Sequence, residues 1–152
     1  MVQTKCGFDN GPAHSGSDLL VMLGPTLLVD IGFDPAYSPQ KKVVPVSGIA
    51  GVQALVDTGA TESCIDDLLA AKLKLPVVNR REISGVHGKR EVNVYLAQVH
   101  VPSLGFTIYG AFAGVDLKAG GLVHEALIGR TFLSSFTMVY EGRTGTVTIS
   151  SE

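Results

Sequence analysis

Leu55-Val56-Asp57-Thr58-Gly59-Ala60-Thr61-Glu62-Ser63-Cys64-Ile65 is the stretch of this sequence whose residue types could do chemistry. An apolar segment delivers a single carboxylate, Asp57, into a turn built from Thr58 and Gly59. Gly59 has no side chain to hold a ligand's backbone away. The Thr58 hydroxyl can bond locally and fix the loop. A carboxylate held rigidly in a partly dry place, facing an open cleft, suits proton transfer. Taken alone, the tetrapeptide Asp57-Thr58-Gly59-Ala60 is also what an ordinary turn uses, because Asp, Thr and Gly are common turn residues.

A second element changes that balance. Ala126-Leu127-Ile128-Gly129-Arg130-Thr131-Phe132-Leu133 lies about seventy residues downstream, with a Gly-rich hairpin between the two. Arg130 stands at an expected helix start, where a cation opposes the helix dipole, so something must hold it. A structural ion pair is the expected partner rather than a substrate.

The two motifs together resemble the retropepsin-like aspartic proteases, the family of the retroviral proteases and their cellular and bacterial relatives. That family pairs an apolar-Asp-Thr-Gly-Ala motif with a downstream apolar-apolar-Gly-Arg-x-x-Leu motif. Here these are Leu55 to Ala60 and Leu127 to Leu133, and the resemblance covers roughly residues 25 to 150. It implies a mainly β, single-lobe acid-protease barrel with short helices and a flap hairpin. It implies Asp57 as the catalytic residue, Thr58, Gly59 and Ala60 as the supporting loop, and Ile128, Gly129 and Arg130 as the second motif. Gly85, Val86, His87 and Gly88 would be the flap that closes over an extended peptide or protein substrate. No cofactor is implied.

The chain departs from the family in three places. Retroviral members carry an acid just after the Ala; this chain has Thr61, with Glu62 next. Either Glu62 partners Arg130 or that link is missing. Asp57 also lies later in the chain, so the first 20 or so residues have no counterpart. His87, near the tip of the flap, has no family role.

The family's chemistry needs two carboxylates that share a proton, a general property of aspartic protease dyads. No second Asp-Thr-Gly or Asp-Ser-Gly occurs here: Asp116 is followed by Leu-Lys and Asp18 by Leu-Leu. The second carboxylate is therefore expected from Asp57 of another copy, in a two-fold homodimer. By resemblance, Thr58 would hydrogen-bond across the dimer axis. Chain ends would build the intermolecular sheet, with Thr146-Val147-Thr148-Ile149-Ser150 suited to it by β-propensity.

Other chemistry-bearing residues point nowhere in particular. His14, His87, His100 and His124 are scattered without metal-ligand spacing, so no metal is expected. Cys64 has no paired His and reads as a packed small residue. Cys6 and Cys64 are the only cysteines and are expected as free thiols.

The elements that must position Asp57 are mostly strands. Leu19–Leu23 and Leu27–Ile31, split by Gly24-Pro25, both suit strands, and Val43–Val46 suits an edge strand because Pro45 cannot donate to a ladder. Val52–Asp57 is a buried strand and Asp66–Leu75 a helix, with acids at its start and Pro76 as its stop. Val77–Pro102 reads as a long hairpin tipped by Ser84–Lys89, and Phe106–Val115 as a strand. A Gly-rich loop, 116–124, leads to a short strand, Ala126–Ile128. Gly129–Phe136 reads as a short helix. Met138–Tyr140 and Thr146–Ile149 close the chain as a hairpin. Residues 1–17 are small and polar and read as a loose tail, leaving 18–152 as the protease domain.

Composition narrows the class. The 152 residues are 45% hydrophobic with 18 Gly and a net charge of −2. No basic tract exceeds Lys41-Lys42 or Arg80-Arg81, which argues against nucleic acid and an anionic membrane surface. No apolar run approaches the roughly 20 residues of a membrane span. The first ten residues lack an apolar core, so no secretory signal and a cytoplasmic protein are expected. The leading expectation is an aspartic endopeptidase. The alternative is a non-cleaving retropepsin-fold dimerisation or peptide-binding module.

Overall fold

Successive side chains of β2 (Thr26–Gly32) point to opposite faces, so buried positions alternate with more exposed ones. Leu27, Val29 and Ile31 are almost wholly buried, while Leu28 between them is 59% exposed. β3 (Ile49–Val56) repeats the pattern with Val52, Ala54 and Val56 inside. Each such side chain contributes roughly 1.5–3 kcal/mol on leaving water. The computed structural model describes residues 1–41, 48–85 and 88–151. The expected edge strand at Val43–Val46 falls outside them.

Six strands close into a barrel. β2 and β3 are antiparallel, and β3 runs parallel to β8 (Ala126–Ile128). β8 pairs antiparallel with β4 (Cys64–Asp66), and β4 runs parallel to β7 (Phe106–Val115). β7 pairs with β6 (Gly88–Val101), and β6 returns to β2 through Asp30–His100, Ile31–Val99 and Gly32–Gln98. β5 (Val77–Gly85) lies outside the ring and, among the described residues, pairs only with β6. Closure leaves few raw edges and gives one continuous core.

The helices are short. α2 (Asp67–Lys72) begins where the acids placed it, with Asp66 as its N-cap. It ends before Leu75 because Lys74 takes a left-handed φ of 56°. α3 (Arg130–Leu133) is also shorter than expected, followed by tight turns to Phe136.

Two expectations near the N-terminus change. Leu19–Leu23 is not a strand: it belongs to α1 (Gly16–Leu23). The Ser15 side chain accepts from the Asp18 backbone N–H, an N-cap that a strand reading ignores. Residues 1–17 are not loose throughout. β1 (Gln3–Lys5) pairs with β10 (Thr146–Ser150), and Cys6 is 2% exposed. Cys6 N–H donates to the Val147 carbonyl at 2.9 Å and Phe8 N–H to the Gly145 carbonyl at 2.8 Å. Gly7 permits that approach, since a Cβ there would sit 2.1 Å from the Gly145 oxygen.

β9 (Thr137–Glu141) completes a second, three-stranded sheet in the order β1-β10-β9. β10 is therefore its central strand, with both edges paired inside the same chain. The expectation that β10 offers an edge to a partner does not fit this arrangement.

Candidate active site

Asp57 follows directly on β3, and its position depends on β8. The Asp57 N–H donates to the Ile128 carbonyl at 2.9 Å, and the Val56 N–H to the Pro25 carbonyl at 2.9 Å. From Asp57 the chain crosses the end of β8 and returns on its other side as β4. The two sequence motifs thus become neighbours. The turn closes on itself: Asp57 Oδ1 accepts from the Gly59 N–H at 2.8 Å, and the Asp57 carbonyl from the Ala60 N–H at 3.2 Å. Asp57 is half-buried, while Thr58 and Gly59 are exposed.

The second motif braces this loop from beneath. Arg130 N–H donates to the Ala60 carbonyl at 2.9 Å and Thr131 N–H to the Thr61 carbonyl at 3.0 Å. Gly129 N–H donates to Ser63 Oγ at 3.1 Å. Gly129 must lack a side chain, because a Cβ would lie 2.6 Å from the Glu62 backbone. The Arg130 guanidinium then spans the loop, Nη1 donating to the Thr58 carbonyl at 2.7 Å and Nη2 to Thr61 Oγ1 at 3.0 Å.

The partner of Arg130 is thus a carbonyl and a hydroxyl rather than the expected ion pair. Glu62 is engaged elsewhere, 3.3 Å from Arg81 on β5. Thr61 replaces the family's acid with a neutral acceptor at the same task. The Glu62–Arg81 pair ties the loop to the hairpin instead.

β5 and β6 form the expected long hairpin, in register from Asn79–Val94 to Gly85–Gly88. Gly88 has a φ of 100°, the conformation that favours glycine. Val86 and His87 lie outside the described residues. Near the tip the hairpin is exposed and laced with Arg80–Glu91 and Lys89–Glu82 pairs, with Arg90 reaching Asp116.

Cys64 and Cys6 are free thiols. Burial pushes the Cys64 thiol up to about 12, against a smaller lowering by the Leu127 backbone; the Asp57 charge then raises it and Arg81 lowers it by lesser amounts. A thiol held this high is protonated at neutral pH, the form that does not attack. Among the described residues no group of three His, Cys, Asp or Glu could hold a metal.

Sequence reading saw Asp66 only as a helix-start acid. It is 2% exposed, and it also accepts from Leu117 N–H at 2.9 Å and Lys118 N–H at 3.2 Å. One carboxylate thus caps α2 and pins the loop between β7 and β8. The loop's N–H groups come from about fifty residues away in sequence, so no local signal marks this second role. A pocket of about 350 Å³ opens beside the Glu62-Ser63 end of the Asp57 loop, lined also by Phe106, Ile108, Phe112 and Phe132.

Residues 44–135 match the family described as "gag-polyprotein putative aspartyl protease". The chain belongs to this aspartyl protease family. The match spans both motifs and the hairpin between them, so the barrel is the retropepsin-like protease fold. Among solved structures, the EIAV protease complexed with the inhibitor HBY-793 is 20% identical at a TM-score of 0.47, covering 72% of this chain and 85% of that one. The solution structure of simian foamy virus (mac) protease is 15% identical at 0.45, covering 72% and 91%. No curated protein matches the chain.

Proposed function

We propose that this aspartyl protease family member is an endopeptidase that works as a homodimer, with the Asp57 of each chain supplying half of a catalytic dyad. The observation that carries the reading is the Asp57 loop itself. It holds one half-buried carboxylate, fixed by Gly59 and Arg130, beside an exposed Thr58-Gly59 face. A single chain has no second Asp-Thr-Gly to complete the pair.

Two carboxylates brought to about 3 Å share one proton. The ionised one takes a proton from water, whose oxygen attacks the scissile carbonyl carbon. The protonated one gives its proton to the carbonyl oxygen. The resulting diol collapses as the protonated carboxyl gives its proton to the amide nitrogen and the ionised one takes a proton from a diol hydroxyl, so that the C–N bond breaks to a carboxylic acid and an amine. Each step returns the dyad to one proton.

Peptide would lie extended across the dyad, with main-chain hydrogen bonds and alternating side-chain pockets. The hairpin end at Gly85, Val86, His87 and Gly88 would cover it and exclude water. An intact Asp favours cleavage over a purely binding role.

The test is Asp57→Asn. The amide can take neither protonation role, so peptide hydrolysis disappears while the circular dichroism spectrum and oligomeric state stay as in wild type. A variant that cleaves as fast as wild type would overturn the assignment.

A further inference from the structure

The dimer that this reading requires must be built on some surface, and the strand edges of the chain differ in how well they are guarded. Natural sheets blunt an exposed edge with charges, short strands, prolines or bulges. β5 carries Arg80, Arg81 and Glu82 along its length, and all three are ion-paired. β1 is three residues long and ends in Lys5. β10 has no edge to offer, being paired to β1 and β9 along its length.

β9 is different. It has five residues, Thr137-Met138-Val139-Tyr140-Glu141, without Lys, Arg or Pro. Its register with β10 runs through five pairs without a bulge. Val139 is 53% and Tyr140 52% exposed, although both are residue types that strands favour and interfaces use. Among the described residues, no strand pairs with its outer edge.

β9 is also linked to the catalytic loop. Arg130 of α3 holds the Thr58 carbonyl, and only residues 134–136 separate α3 from β9. At roughly 3.5 Å per residue, β9 must start within about 14 Å of Leu133. Those linking residues are fixed by Ser134 N–H to the Arg130 carbonyl and Phe136 N–H to the Leu133 carbonyl. Phe136 packs on Phe132 and Phe106, with ring centroids 4.7 and 5.2 Å apart.

We propose that the β9 edge is the dimerisation edge: two copies of this chain pair β9 with β9 antiparallel about a two-fold axis near Val139, making one sheet in the order β1-β10-β9-β9-β10-β1. This inference rests on the shared-dyad reading, which supplies the need for a second copy. It differs from the sequence expectation, in which the last strand paired across the axis. Edge pairing gives backbone hydrogen bonds in register, sets Val139 across from Val139 of the second copy and sets Tyr140 across from its Met138.

The experiment is sedimentation equilibrium on the full chain, with wild type, Val139→Lys and the control Gln3→Lys on the β1 edge. Expected is a wild-type dimer whose dissociation constant rises at least tenfold in Val139→Lys and stays within twofold in Gln3→Lys. Peptidase activity per chain should fall with the dimer and recover at higher concentration. As a second arm, Val139→Cys should form an intermolecular disulfide on mild oxidation. That arm also decides the matter if Val139→Lys fails to fold. A wild-type dimer that Val139→Lys leaves intact, or that Val139→Cys does not cross-link, overturns the β9 edge alone. A wild-type chain that is monomeric and active overturns the shared dyad itself.

Discussion

Arg130 Nη1 lies 2.7 Å from the Thr58 carbonyl oxygen, so the second motif holds the first through the backbone beside the Asp57 carboxylate. The second arm of the fork reaches Thr61 Oγ1 at 3.0 Å. A planar guanidinium can make both bonds from one position, and a lysine cannot. Arg130→Lys should therefore lower peptidase kcat/KM by at least about tenfold, equivalent to about 1.4 kcal/mol of transition-state stabilisation. Arg130 is exposed, so the thermal midpoint should move little. Parallel kinetics and thermal melts separate the two effects. A variant with wild-type kinetics would mean that the brace does not position Asp57.

Asp66 offers a test of scaffold rather than chemistry. Its carboxylate satisfies Leu69, Leu117 and Lys118 N–H groups, though the first at a long 3.4 Å. Asp66→Ala leaves those donors unpaired in a buried place, at about 1–3 kcal/mol for each group that water cannot reach. Urea unfolding should show a lower midpoint with an unchanged slope. Asp66→Asn keeps one acceptor oxygen and should recover part of the loss. Equal stability of Asp66→Ala and wild type would contradict the double role.

His124 sets a pH dependence. It is 1% exposed, and its Nε2 is 2.8 Å from Thr26 Oγ1. The Thr26 hydroxyl proton goes to the Gly24 carbonyl at 3.0 Å, so Nε2–H is the donor and Nδ1 is the bare nitrogen. Nδ1 has no partner. Glu125 beside it is spent on Lys118 at 3.4 Å. Burial therefore lowers the His124 pKa below its ordinary value of 6.5. The unfolded chain binds the proton more readily than the folded one, so this contribution is present above about pH 6.5 and is lost as pH falls below it. His124→Gln should flatten the slope of stability against pH below about 6.5. The check is urea unfolding at a series of pH values. An unaltered slope would show that another group carries it.

What the sequence revealed divides by the range of the interaction. Asp57, its turn and Gly129-Arg130 were legible because each motif is a local solution to a backbone problem. β7 and β8 were legible from short apolar runs ending in Gly or turn residues. α1 reads as a strand because Leu19–Leu23 has the length of one, and the deciding signal, Ser15 accepting from the Asp18 N–H, sits just upstream. β1 could not be read at all: three polar residues become a strand only because β10, over 140 positions away, offers an edge. The switch of Glu62 from Arg130 to Arg81 likewise depends on how the β5–β6 hairpin folds back over the loop. Long-range pairing leaves little local trace.

The central claim is that each active site takes one Asp57 from each of two chains, and a mixing titration reads it directly. Wild-type chain at fixed concentration is equilibrated with rising amounts of Asp57→Asn, and peptide hydrolysis is measured per wild-type chain. With random pairing, activity should fall in proportion to the wild-type fraction, to about half at equal amounts, because every mixed dimer has a single carboxylate. Activity per wild-type chain that stays constant as Asp57→Asn is added would contradict the shared site.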